Sequence, residues 1–345
     1  MAYFNPSDLV QGQAKFDQRV LDGGEWRMPD SVALQVANMS AITNPSLNSL
    51  KYAQDTTENA YFPIRQAAIG TSAIAHDHTG ASPDSLGESP SYSIYAEPFS
   101  ITKKQAEGNV FSWSEMYASG LRNAVYNLIG RLDAAFVAAL VAAKTGYGAA
   151  GGNGEFDTSL DAYKNPAGEE LYFIQNMRQF MNINDYRGQL IGLMDDRLAT
   201  KMQRAKAQGA GNSTNTAFQF DGMNLFATSR TILGSTYNGS GLFFESGMAG
   251  LIFWLPKANR KPLDPKQAFS SMGDYGMFTI PSLPGIQFGI HAYGTRSDGH
   301  SIGGDYQDET YQFEVSAHMA YLDAPISTFR DAADTSPIYA GVQLT

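Results

Sequence analysis

The 345-residue chain has no cysteine, which removes disulfides, thiolate catalysis and every cysteine-based metal site. Charge is scarce too: Asp, Glu, Lys and Arg make up 17% of the residues, against roughly 25% in an ordinary soluble domain. What charge there is leans acidic, 34 acids to 24 bases, for a formal net charge of −10. A protein that grips nucleic acid electrostatically carries a basic face, so this balance argues against that role. It does not argue against a protein that encloses nucleic acid without holding it. No unbroken apolar run approaches the ~18 residues of a membrane span. The start, Met1-Ala2-Tyr3-Phe4-Asn5-Pro6, lacks the basic and apolar regions of a signal peptide, so neither membrane nor secretion is expected.

Apolar residues fill the space that charge leaves. They make up 43% of the chain, with 18 Tyr, 20 Phe and 34 Gly, enough to bury a sizeable core. The length suits one elaborated domain or two intimate ones. A monomer normally covers its surface with Lys and Glu. A charge-poor, aromatic-rich chain therefore points either to surface that faces other protein or to a β-rich fold with a polar uncharged surface.

Residues 1–58 are weakly periodic and broken by Pro6, Gly23-Gly24, Pro29 and Pro45. They read as an arm with one short helix around 30–39, finding its partners on a neighbour or on the domain surface. Residues 61–74 and 91–103 are rich in strand formers, and the second stretch alternates with Tyr95, Glu97, Phe99 and Ile101 on one face. Between them lies a segment loaded with Gly, Pro, Asp and Ser. The pattern predicts a long hairpin whose ~13-residue arms reach ~40 Å, too long to stand alone in water. Ser112-Trp113-Ser114-Glu115 fits a capping box. Apolar residues then recur at three and four from Tyr117 to Ala143, and Gly146 stops the pattern. The expectation is a spine helix of ~31 residues, ~46 Å long.

Beyond a glycine-rich link, a helix is predicted from Pro166 to about Asn182, and a short buried strand over 190–194. A helix from Asp195-Asp196 then runs to Gly209, with acids at its start and bases near its end as the dipole favours. This unit suggests an α/β subdomain. Strand-like runs follow at 223–228, 249–255 and 277–293, and 310–322 reads as one long strand. Residues 305–334 hold seven acids and one base, Arg330, and so an acidic surface.

The short motifs fail on context. Gly146-Tyr147-Gly148-Ala149-Ala150-Gly151 spells a dinucleotide fingerprint, but follows a helix where that motif needs a strand before it and a helix after it. Gly299-His300-Ser301-Ile302-Gly303 has the nucleophile-elbow spacing without the strand and helix that expose the hydroxyl. A hydrolase using Ser301 with His318 is the enzyme reading that remains. His76-Asp77-His78 could offer metal ligands, but no further ligand cluster accompanies it. Glu169-Glu170 and Asp195-Asp196 stand at helix starts, where capping explains them. Asn212-Ser213-Thr214 is a glycan acceptor only in a secreted eukaryotic protein. No catalytic residue, cofactor site or metal site is assigned.

The order of elements is arm, long two-stranded loop, spine helix, α/β unit and late return strand. In that order, carried by 61–103, 113–145, 166–209 and 311–342, the chain resembles the major capsid proteins of tailed bacteriophages. Theirs is the Hong Kong 97-type fold, shared with encapsulins. The resemblance implies an α+β fold divided into an N-terminal arm (1–58), an extended loop (59–111), a peripheral domain with the spine helix (112–165), an axial domain (166–304) and return strands of the peripheral domain (305–345). It implies a non-enzymatic subunit that assembles with itself into pentamers and hexamers of an icosahedral shell. Such a shell encloses double-stranded DNA, with separate scaffold, portal and decoration proteins as partners, and is assembled in the host cytoplasm. An encapsulin-type compartment is the alternative within the fold. Contacts between subunits are expected at Tyr61, Phe62, Ile64, Tyr92, Ile94, Tyr95, Phe99 and Ile101. Some relatives crosslink a loop lysine to a neighbour's asparagine. Lys103 and Lys104 lie at the base of the loop here with no partner asparagine identifiable, so that chemistry is not carried over.

Overall fold

The computed structural model describes residues 6–23, 27–64, 84–102, 111–146, 154–184, 186, 188–209, 219–220, 223–264, 268, 273–297, 308–324 and 336–345. Three helices come first: α1 (Pro6–Asp22), α2 (Val32–Thr43) and α3 (Pro45–Leu50). The expected loose arm is instead part of the core. Leu9 and Phe16 of α1 are buried in the cluster that includes the spine. On α2, Ala33, Leu34, Val36, Ala37 and Ala41 are fully buried, as suits a helix apolar on most sides. The punctuation that reads as loop marks helix ends. Gly23 sits at φ +73 with its N–H bonded to Arg19 O, and Pro45 occupies the first turn of α3.

β1 (Ala60–Ile64) pairs antiparallel with β2 (Asp84–Glu88), from Ala60 opposite Glu88 to Ile64 opposite Asp84. The next strand, β3 (Ser93–Thr102), does not join them. The predicted hairpin of 61–74 against 91–103 is thus corrected: β2 is the second arm of the ribbon, and β3 belongs to a sheet of the body. The alternating face of β3 finds its apolar partner inside the chain. Residues 65–83, with His76 to His78, lie outside the described residues.

Helix α4 (Trp113–Ala142) is the spine, 30 residues and ~45 Å long. Its capping box is formed, with Ser112 N–H donating to Glu115 at 3.0 Å. It ends at Ala142, before Gly146. An 18-residue window of α4 reaches a mean hydropathy of 1.5, long and apolar enough for a membrane, but half of that window is buried inside the protein. Its apolar residues face α1, α2 and a sheet.

The rest of the described chain builds two sheets. In order come β4 (Glu155–Asp157), β5 (Ala162–Asn165), α5 (Phe173–Ile183), β6 (Leu190–Asp195), α6 (Asp196–Gly209), β7 (Gln219–Phe220), β8 (Met223–Thr228) and β9 (Ser240–Glu245). Then follow β10 (Ala249–Phe253), β11 (Asp274–Thr279), β12 (Gln287–Ser297), β13 (Asp308–Asp323) and β14 (Tyr339–Gln343). One sheet has seven strands in the order β4-β5-β14-β9-β6-β8-β7, and the other joins β10, β13, β12, β11 and β3. The expected boundary at 304/305 does not separate them. β10 to β12 pair in the same sheet as β13, while β14 inserts between β5 and β9.

β6 is buried along its whole length. Ile191 and Leu193 face the spine-side core; Leu190 and Met194 lie in a second cluster with Phe173, Met177 and Phe180 of α5. A strand covered on both faces reads as one continuous apolar run, as this one does. β13 alternates instead. Phe313, Val315, Ala317 and Met319 are buried, whereas Gln312, Glu314, Ser316 and His318 are partly or fully exposed on the opposite face.

Candidate subunit interface

A third apolar cluster seats the ribbon. Ala60 and Phe62 of β1 pack with Leu47 and Leu50 of α3, Ile252 and Trp254, and Leu322 at the end of β13. Hydrogen bonds fix the seat: Tyr61 N–H donates to Ser46 Oγ at 2.7 Å, and Trp254 Nε1 to Ala53 O at 3.0 Å. Arg260 lies over the Trp254 ring, 5.9 Å from its centroid, and donates to Leu255 O, Tyr52 O and Ala53 O. These residues anchor the ribbon base while leaving its outer side bare. Tyr61 and Leu86 are exposed there, as is Tyr52 beside α3.

β3 runs along β13 from Thr102 opposite Thr310 to Ser93 opposite Met319. Phe99 stacks on Phe313 with centroids 4.9 Å apart and leans on Tyr117 at 5.9 Å. Gly120 makes room for it, since a Cβ there would sit 2.5 Å from the Phe99 ring. Glu97 pairs with Arg131 of the spine, whose guanidinium also lies 5.7 Å from the Tyr95 ring. Ile101 is buried. On the opposite face of β3, Ile94 is 66% exposed.

The expected contact residues therefore divide. Phe62 and Ile101 fill the chain's own core; Phe99 and Tyr95 pack against the spine and β13. Tyr92 tilts against Trp254 at 5.8 Å, and burial, aided by Glu58, pushes its phenol up to about 12. Ile64 stands opposite Asp84 in the ribbon. Among those of the group whose side chains are described, Tyr61 and Ile94 are large and exposed. Tyr52, Leu86, and Met39 and Ile42 on α2 are also large and exposed, and were not among the expected contacts. For α2 the signal was available: a helix apolar on nearly every side has more apolar surface than one neighbour can cover.

The remaining motif residues have structural roles or lie outside the described residues. Residues 147–151, 212–214 and 299–303, including Ser301, are outside. His318 lies on β13 with its carbonyl accepting from Trp254 N–H at 3.1 Å, and burial lowers its pKa. Asp195 caps α6, accepting from Leu198 N–H at 2.9 Å and from Ser240 N–H and Oγ at 2.9 and 2.8 Å. Glu169 accepts from Asn176 Nδ2 at 3.1 Å. Among the described residues no cluster of three or more His, Asp or Glu could hold a metal.

No family model matches the sequence, and no curated protein does. Among solved structures, one from Mycobacterium phage Che8 is 10% identical with a TM-score of 0.48, covering 93% of each chain. The capsid of the cyanophage P-SCSP1u is 12% identical with a TM-score of 0.42, covering 83% of each. The capsid of a native GTA particle is 12% identical with a TM-score of 0.46, covering 86% of this chain and 90% of its own. Likenesses at this level assign no function by themselves; the chain's own geometry has to do so.

Proposed function

We propose that the chain is the major capsid protein of a tailed bacteriophage, a subunit that self-assembles into an icosahedral shell around double-stranded DNA. The observation that carries this reading is a two-stranded ribbon seated at its base in an apolar cluster and bare on its outer side, where Tyr61 and Leu86 are exposed. A ribbon of two short strands is marginal in water, and a second subunit can cover what this one leaves open. The order of elements supports the same reading: a two-stranded ribbon before a domain-spanning helix, then a sheet carrying helices, then a long return strand. Heterologous contacts repeated around five- and six-membered rings let each contact be weak while the closed shell is stable. The net charge of −10 suits a container that does not bind its DNA tightly. The virion is the location of such a subunit, assembled in the host cytoplasm, with separate scaffold, portal and decoration proteins as partners. Its function is assembly rather than catalysis.

Electron microscopy and size-exclusion chromatography of the purified chain test this directly. Closed particles are expected from the wild type. Tyr61→Ser combined with Ile94→Ser changes only exposed side chains, and is expected to keep the fold and thermal midpoint while losing particles. A wild-type chain that stays at ~37 kDa at high concentration overturns the proposal, because a shell subunit associates with its own copies.

A further inference from the structure

The chain passes from the seven-stranded sheet to the other in a single short turn. β9 ends at Glu245, β10 begins at Ala249, and Ser246, Gly247 and Met248 make the crossing. The last turns of α2 hold that crossing from one side. Ser40 Oγ donates to Ala249 O and accepts from Gly247 N–H at 3.0 Å. Asn44 Nδ2 donates to Gly247 O at 3.2 Å, and Ser246 Oγ to Thr43 Oγ1 at 3.0 Å. Gly247 stands at φ +87, a conformation that suits glycine alone at low cost. The helix rests on the strand itself: a Cβ on Gly250 would lie 3.0 Å from Ala41 Cβ.

The other end of α2 is tied to the seven-stranded sheet and to the spine. Asp30 accepts from Val32 N–H at 3.1 Å, from Thr228 Oγ1 at 3.0 Å and from Ser229 N–H and Oγ at 2.6 and 2.7 Å, at the end of β8. Asp133 of the spine accepts from Leu34 N–H at 3.2 Å and from Arg230 Nε at 2.7 Å. Midway, Asn38 Nδ2 donates to Pro284 O between β11 and β12 at 3.0 Å. Apolar packing alone does not fix direction, whereas satisfied polar bonds at both ends and the middle of one helix specify a single arrangement.

We infer that α2 is a clamp across the crossing between the sheets, fixing the angle between them. Resting on the shell reading above, it also sets the angle at which a subunit presents its edges to neighbours, and hence the curvature of the particle. Ser40 and Asn44 are its positioning residues at the crossing.

The chain has no native cysteine, so spin labels can be placed on exposed Tyr172→Cys, beside α5, and exposed Tyr275→Cys, on β11. One narrow distance distribution is expected from the otherwise wild-type chain at subunit dilution. Ser40→Ala with Asn44→Ala is expected to broaden it and to speed hydrogen exchange at Gly247 by about fivefold to tenfold, the factor carried by one net hydrogen bond. Particles from this variant are expected to vary in diameter. A folded variant with an unchanged distribution and unchanged exchange at Gly247 overturns the clamp. If the double variant fails to fold, Asn44→Ala alone, which removes the bond to Gly247 O and the one accepted from Ser46 N–H at the start of α3, decides by the same two readouts. A wild-type chain that forms no particles overturns the shell reading only, because the label distances and exchange are read on the single subunit.

Discussion

The pair formed by Asp133 and Arg230 makes a prediction whose sign depends on pH. Asp133 has no exposed surface, while the Arg230 side chain is 29% exposed. Burial is the largest influence on Asp133 and raises its pKa above the ordinary carboxylate value, even with Arg230 and Leu34 N–H bound to it. The ion pair therefore does not repay the cost of burying the charge, and the pair serves geometry more than stability. Removing one partner is nevertheless costly, because the other is stranded. A fully buried pair loses 3–5 kcal/mol on such truncation; with Arg230 partly in solvent, about 2–3 kcal/mol is expected for Asp133→Leu or Arg230→Met alone. In the double variant no charge remains, and the main penalty is the orphaned Leu34 N–H, about 2 kcal/mol. The double variant should thus lie about 3 kcal/mol above the sum of the singles.

The pH dependence follows from the raised pKa. A carboxyl whose folded pKa exceeds its unfolded value favours folding at low pH, and that contribution is lost as pH rises through the folded pKa. Arg230→Met removes the attraction that opposes burial, so it lifts the folded pKa further. Its destabilisation should grow from pH 5 to pH 8, by up to about 1.4 kcal/mol for each unit of added shift. Urea denaturation of the four proteins at the two pH values measures both quantities. Additivity of the singles within about 0.5 kcal/mol, or an Arg230→Met cost independent of pH, would refute the reasoning.

Two further substitutions test other parts of the fold. Burial, reinforced by Glu88 and only partly opposed by the bond from Ser336, raises Asp323 to about 6. The sign is as for Asp133: stability from this group is full below the ordinary Asp value of about 4 and is lost as pH climbs to about 6. Asp323→Asn should therefore flatten the stability profile between pH 4 and 7 by about 2 kcal/mol or less; an unchanged slope counts against the buried carboxyl. Gly192 lies at the centre of β6, where a Cβ would meet Leu225 Cδ2 at 2.6 Å and Phe243 Cε1 at 2.7 Å. Gly192→Ala should cost about 1–3 kcal/mol by overpacking, read as a lowered urea midpoint at constant m-value, and no loss would mean that the two rings can yield.

Elements whose burial is dictated locally were legible in the sequence. The spine announces itself because its capping box and its period of three and four lie in consecutive residues. Leu190–Asp195 does so because a strand covered on both faces has no polar side. β13 does so because one face is covered and the other is not. The ribbon's second arm was hidden for the opposite reason. Asp84–Glu88 contains Asp, Ser and Gly, residues of turns, and is held as a strand by backbone pairing to β1. Sheet membership was hidden as well, because pairing is a long-range choice. Nothing near Tyr339–Gln343 records that its neighbours are β5 and β9 rather than β13.

The candidate interface was half legible, and the scarcity of charge explains which half. The alternation of Tyr95, Glu97, Phe99 and Ile101 correctly marks one face that must be covered, but a single strand does not say by whom. The spine, 30 residues long, offered Tyr117, Gly120 and Arg131 to that face and took it. Both faces of the seven-stranded sheet are covered too, by α5 and α6 on one side and the spine-side core on the other. Phe173, Phe180, Phe243, Phe244, Tyr163 and Tyr339 are wholly buried there or beside it. Much of the aromatic content that suggested surface facing other protein is thus spent inside the chain's own core. On the shell reading, the exposed apolar residues nearest the ribbon narrow what a neighbour would cover there: Tyr61 and Leu86 on the ribbon, Ile94 on β3, Tyr52 beside α3, Met39 and Ile42 on α2. Tyr61, Tyr52, Met39 and Ile42 sit on or beside elements of the ribbon's own cluster, and Leu86 on the strand paired with β1. A subunit docking there would press on the helix that clamps the two sheets together, so that contact with a neighbour and the internal angle of the subunit are mechanically one problem.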